Sequence, residues 1–115
     1  MNRPLNDLGK KFLSTSNSKG FTAGNLSYQD TVEKLMLSVS ELTEALEELR
    51  KGFSTTHIYF NPENPTKPEG FPIEIADALI RLLQLAAACN IDIDAAVARK
   101  NAYNETRPYK HGKKF

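Results

Sequence analysis

The sequence predicts an all-α, bundle-like domain. Apolar residues recur at steps of three and four over two long stretches. Between them lies a break, residues 52–71, in which Pro62, Pro65 and Pro68 stand with Gly52 and Gly70. Strand signals are confined to "THIYF" within that break. A length of 115 residues suits one domain.

The elements follow in order. Leu5, Leu8 and Phe12 stand at helical spacing, so a short helix is predicted near residues 4–14. "STSNSKGFTAGN" reads as a loop. Ser27 is a suitable N-cap for the next helix, with Asp30 in its first turn. That helix is predicted over about 28–51. Val32, Leu35, Val39, Leu42, Leu46 and Leu49 make one apolar stripe along it, and Gly52 stops it. The Pro-rich break is longer than an ordinary bundle connection. It reads as a surface excursion, a mobile loop over a site or a subunit contact. Pro72 suits the first turn of a third helix. Ile75, Leu79, Leu82, Leu83 and Ala86, widened by Ile80 and Ala87, give that helix so broad an apolar face that it is expected to be largely buried. It ends near Asn90. Asp92 or Asp94 caps a last helix, "DAAVARKNAYNE", which stops before Pro108.

Composition narrows the function classes. The apolar fraction is 40% and the charged fraction 25%, ordinary for a soluble domain. Fifteen basic residues against 14 acidic leave a net charge of +1, which gives no signature of a nucleic-acid polymer as partner. No apolar run approaches the ~20 residues of a membrane span. "MNRPLNDLGKKF" lacks the apolar core of a signal peptide. The single cysteine, Cys89, excludes an internal disulfide and is expected to be a small core residue. A reduced, cytoplasmic setting is the expectation.

The acidic residues carry the chemistry. "SELTEALEELRKG" puts Glu41, Glu44, Glu47 and Glu48 on one helix, where like charges at i,i+3 and i,i+4 repel. At about 100° per residue, Glu41, Glu44 and Glu48 share a stripe beside the apolar one, and Glu47 falls elsewhere. "FPIEIADALIRLL" places Glu74 and Asp77 one turn apart on a helix with little polar surface. Buried carboxylates are costly unless paired or metal-bound. An E-x-x-E pair facing an E-x-x-D pair can converge four carboxylates, the oxygen donor set of Mg²⁺. The competing reading is a solvated acidic face, with Glu48 paired to Lys51 and Asp77 to Arg81. Spacing alone leaves both open. A di-iron bundle would need Glu-x-x-His motifs; His57 and His111 do not stand in one.

These stretches, ending in "DIDAAVARKNAYNETRPYKHGKKF", resemble the MazG-like all-α nucleoside triphosphate pyrophosphohydrolases over residues 28–115 apart from the loop. The resemblance implies a four-helix-bundle-like fold completed by oligomerisation, as a homodimer or homotetramer. It implies Mg²⁺-dependent hydrolysis of a (d)NTP to monophosphate and pyrophosphate, in a role such as nucleotide pool sanitation, with Mn²⁺ a possible substitute. Glu41, Glu44, Glu74 and Asp77 become the metal ligands. Glu41 or Glu44 becomes the catalytic base, and Glu48 a possible additional ligand. Lys100, Asn104 and Arg107, which share one helical face, become substrate contacts, with Lys110, His111, Lys113 and Lys114 behind them. The chain departs from the family pattern at Leu37 and Ser38, where many members carry further glutamates. It offers only Phe12 and Phe21 where members place base-recognising aromatics. The alternatives are a nucleotide-binding or protein-interaction module with a decayed site, and a plain structural scaffold.

Overall fold

A computed structural model describes residues 2–18 and 26–108. These residues form four helices: α1 (Pro4–Ser18), α2 (Tyr28–Arg50), α3 (Phe71–Ala88) and α4 (Ile93–Glu105). A hairpin of β1 (Tyr59–Asn61) and β2 (Asn64–Glu69) stands between α2 and α3. The predicted helices are all present. α1 runs four residues past its predicted end, because the Thr15 and Ser18 hydroxyls donate back to the Lys11 and Thr15 carbonyls instead of breaking the helix. Phe21, Lys110, His111, Lys113 and Lys114 lie outside the described residues.

Capping is well specified. The Ser27 hydroxyl accepts from the Asp30 backbone N–H at 3.0 Å, and the Asp30 carboxylate accepts from the Ser27 N–H at 3.2 Å, a reciprocal box that starts α2. The α1 and α4 N-termini cap one another. Asp94 accepts from the N–H groups of Leu5 and Asn6, and the Asn6 side-chain oxygen accepts from the Ile93 N–H at 2.8 Å. Arg3 pairs with Asp92, the α4 N-cap, nearby.

α3 is the central element, with α2 and α1 packed against it. Small residues let the helices close up: Ala45 of α2 and Ala78 and Ala86 of α3 are buried. At Gly9 of α1 a Cβ would come within 2.5 Å of the Leu83 carbonyl oxygen, so only glycine allows that approach of α1 to α3. α4 packs chiefly on the start of α1 and has no buried residue, so the described residues of the single chain do not close a four-helix bundle.

The all-α expectation needs one correction. Residues 59–69 of the Pro-rich break form an antiparallel hairpin, with Tyr59 opposite Glu69 and Phe60 opposite Pro68. Two strands leave both edges open, so prolines, which lack an N–H, are tolerated. Gly70 then turns the chain into α3 at a φ of +127°, a backbone conformation that favours glycine.

A second correction concerns the apolar faces. The α2 stripe of Val32, Leu35, Val39, Leu42, Leu46 and Leu49 points outward, with Leu42 50% exposed. The face turned to α3 carries Ser38, Glu41, Ala45 and Glu48 instead. α3 is likewise only half covered: Leu83 is buried, while Ile75, Leu79 and Leu82 are exposed. Cys89, expected in the core, is exposed, because it caps the C-terminus of α3 beyond the packed turns.

Candidate metal centre

The inward face of α2 meets the start of α3 in a group of carboxylates. One oxygen each from Glu41, Glu44 and Glu74 lies within 4.8 Å of the other two. Glu41 and Glu74 are buried, at 9% and 8% exposure, and Glu44 opens to solvent. Local structure dictates this. Glu41 and Glu44 are one turn apart on α2, and Glu74 falls in the first turn of α3, directly after the Gly70–Pro72 start.

Electrostatics in the group are unfavourable as they stand. Burial pushes the Glu74 carboxyl up to about 8, and hydrogen bonding with Glu41 and Glu44 and the charge of both push it the same way. Its Oε2 is buried and has no hydrogen-bond partner. Unpaired buried carboxylate oxygens are rare in folded proteins because nothing replaces their lost hydration. Asp77, one turn on, is exposed and stands outside the close trio. Its carboxyl is also held above the usual range, by burial and by the nearby Glu41 charge, against the lowering effect of Arg81.

Arg81 binds elsewhere than its i,i+4 spacing suggests. Its Nε–H donates to Glu41 Oε1 at 3.2 Å, across the α2–α3 interface. The sequence signal for this contact was available in principle: Glu74, Asp77 and Arg81 step by three and four, so Arg81 shares the face that carries the acids.

Glu48 has a separate role. The Tyr59 hydroxyl is 2.9 Å from Glu48 Oε1 and 3.0 Å from Oε2, and Lys51 Nζ lies 3.6 Å from Oε1. The paired carboxylate thus ties the hairpin to the end of α2. Tyr59 also stacks with His57, at 5.5 Å between ring centroids, and both pack on Phe53. Burial and Glu48 push the Tyr59 phenol above its ordinary range. Glu47 pairs with Arg50 in solvent at 3.1 Å.

The donor set suits a hard divalent cation. Three carboxylates converge, one of them with an orphaned buried oxygen, and no imidazole joins them among the described residues. His57 is in the aromatic stack and His111 lies outside the described residues. Beside the carboxylates a pocket of about 440 Å³ opens between α1, α2 and α3. Leu13, Leu37 and Ile80 give it apolar walls, and Asp77, Arg81 and Gln84 line it with polar groups. Gln84 Nε2 donates to the Phe12 carbonyl at 3.0 Å, which ties α3 to α1 at the pocket.

Lys100, Asn104 and Arg107 are not brought to this centre. Lys100 and Asn104 are exposed on α4. Lys100 and Arg107 lie over the Tyr103 ring, at 4.9 and 5.7 Å from its centroid. Among the described residues no helix is long and apolar enough to cross a membrane. No family model matches the chain, and none of the curated proteins or solved structures compared with it is similar.

Proposed function

We propose that the chain is a Mg²⁺-dependent nucleoside triphosphate pyrophosphohydrolase of the MazG-like kind, acting as a homo-oligomer in the cytoplasm. One observation carries this reading: the orphaned, buried Glu74 Oε2, set among the oxygens of Glu41 and Glu44. A divalent cation there would give Glu74 the partner it lacks and offset the repulsion that holds its proton on.

Glu41, Glu44 and Glu74 would hold the cation, with Asp77 beside them. Bound Mg²⁺ supplies a Lewis acid for phosphate oxygens. Glu44, the ligand open to solvent, takes a proton from the attacking water. The water oxygen bonds to the α-phosphorus, the bond to the bridging oxygen breaks, and pyrophosphate leaves with that electron pair. A pocket of about 440 Å³ is in the ordinary range for small ligands and suits the nucleoside end.

The outward apolar rows of α2 and α3 support the oligomer. Val32, Leu35, Val39, Leu42 and Leu46 of α2 and Ile75, Leu79 and Leu82 of α3 are exposed, and a second copy seated on them would take that apolar surface out of water. In such an assembly Lys100, Asn104 and Arg107 would reach the centre from a second copy.

The test is pyrophosphate release from a panel of ribo- and deoxynucleoside triphosphates, with Mg²⁺ and with EDTA. Mg²⁺-dependent release with monophosphate as co-product is expected. Nucleotide binding without release would favour the second reading, a binding module of the same fold. The distance of the α4 polar face from the carboxylates is the observation on that side.

A further inference from the structure

The carboxylate centre has a charge problem that a divalent cation only half solves. Glu41, Glu44 and Glu74 converge, Asp77 lies within reach of the charges of Glu41 and Glu44, and a polyphosphate would bring about three or four further negative charges beside them. Lys100 and Arg107, the cations assigned to phosphate from the sequence, lie on α4 over Tyr103. Arg81 pairs with a carboxylate of the trio, and Lys34 lines the pocket beside it.

Arg81 is built for more than neutralising Glu41. A guanidinium carries five N–H donors in a planar fork. Among the described residues Arg81 spends one, Nε–H, on Glu41 Oε1. Its terminal nitrogens make no hydrogen bond to a described residue, and the side chain is 38% exposed at the wall of the 440 Å³ pocket. The contact with Glu41 anchors the inner edge of the fork. Glu41 also contributes an oxygen to the carboxylate trio. One carboxylate therefore serves the cation site and also orients the arginine. A structural neutraliser needs no pocket in front of it, whereas a phosphate donor does.

We propose that Arg81 grips the phosphoanhydride end of the ligand, donating from its terminal nitrogens to phosphate oxygens while Glu41 holds its Nε–H. This deepens, and rests on, the pyrophosphohydrolase reading, since it assigns the polyphosphate to the mouth of the pocket beside the cation. Bidentate guanidinium–phosphate contacts are strong and geometrically selective, and a lysine does not reproduce them.

The probes are Mn²⁺ alone, read by electron paramagnetic resonance, and inorganic pyrophosphate, read by titration calorimetry with and without Mn²⁺. Wild type, Arg81→Gln and Arg81→Lys are compared. Arg81→Gln is expected to weaken pyrophosphate binding about 10- to 100-fold while Mn²⁺ binding holds or tightens, because Glu41 loses a competing cation. Arg81→Lys, which keeps the charge and guards against a folding defect, is expected to fall between. Unchanged pyrophosphate affinity in Arg81→Gln overturns the proposal. So does a parallel loss of Mn²⁺ in both variants, which would make Arg81 only a prop for Glu41. Wild type that binds no pyrophosphate overturns it too. Wild type that takes up no Mn²⁺ but binds pyrophosphate through Arg81 would sink the metal-dependent reading and leave the phosphate grip standing.

Discussion

The two faces of α2 reverse the usual division of an amphipathic helix. The outward face carries Val32, Leu35, Val39, Leu42 and Leu46, all exposed in the single chain. The inward face carries Ser38, Glu41, Ala45 and Glu48, all buried against the rest of the fold. Hydrophobic burial does not by itself choose the polar face for the interior, because carboxylates lose hydration there. Each face therefore needs a partner of its own kind. The outward face wants apolar surface, and the inward face wants donors or a cation. Within the inward face the buried acids also differ. Glu48 is satisfied by Tyr59 and Lys51, whereas Glu74, which meets this face from α3, keeps an orphaned oxygen among two other carboxylates. A satisfied buried acid is a fastening. An unsatisfied one is where the proposed cation would find its ligands.

The strongest break of that contrast is Glu74→Gln. It replaces the carboxyl that a cation would ionise and bind, so Mg²⁺-dependent turnover is expected to fall by at least ~100-fold and Mn²⁺ uptake to be lost, while circular dichroism stays helical. Full turnover in this variant would refute the assignment of Glu74. On the opposite face, Leu42→Lys with Leu79→Lys is expected to convert an oligomer to monomers in sedimentation velocity, since it places charges in both exposed apolar rows. Wild type that sediments only as a monomer at high concentration counts against the homo-oligomer.

A smaller effect follows from protonation. The folded Glu74 carboxyl titrates near 8 and an unfolded one near 4.5. Between those values the folded state holds a proton that the unfolded state has released. Stability of the metal-free protein therefore falls as pH rises through this window. Between pH 6 and pH 8 the loss is expected to reach up to roughly 2 kcal/mol. Thermal melts in EDTA across pH 5–9 read it directly. Mg²⁺ is expected to flatten the slope, and so is Glu74→Gln. A melting temperature that rises from pH 6 to pH 8 in EDTA would contradict the burial of that carboxyl. The smallest effect belongs to Glu48. Tyr59→Phe removes its hydroxyl donor and is expected to cost about 1–2 kcal/mol in urea unfolding, with Mn²⁺ affinity unchanged. A loss of Mn²⁺ affinity there would join the hairpin to the metal centre and erase the distinction between the two acids.

The sequence by itself determined the local features of this protein. Helix ends are legible because capping is a matter of a few adjacent residues: Ser27 with Asp30 starts α2, Pro72 sits in the first turn of α3, and α4 starts at Asp92, one of the two aspartates the sequence offered. The acidic pairs are legible because helical spacing alone groups Glu41 with Glu44 and Glu74 with Asp77. What each face meets is a different kind of information. Periodicity sorts residues into stripes, but the stripe that faces α3 was decided by how closely the backbones approach. Ala45 of α2 and the small residues of α3, such as Ala78, permit that approach, and large side chains on the other stripe are left outside. Only the tertiary structure could therefore turn the leucines of α2 outward, give Arg81 to Glu41 across the interface, and draw Tyr59 out of a Pro-rich stretch onto Glu48. Each of these contacts joins residues on different elements, and the energy that selects them arises only when those elements pack.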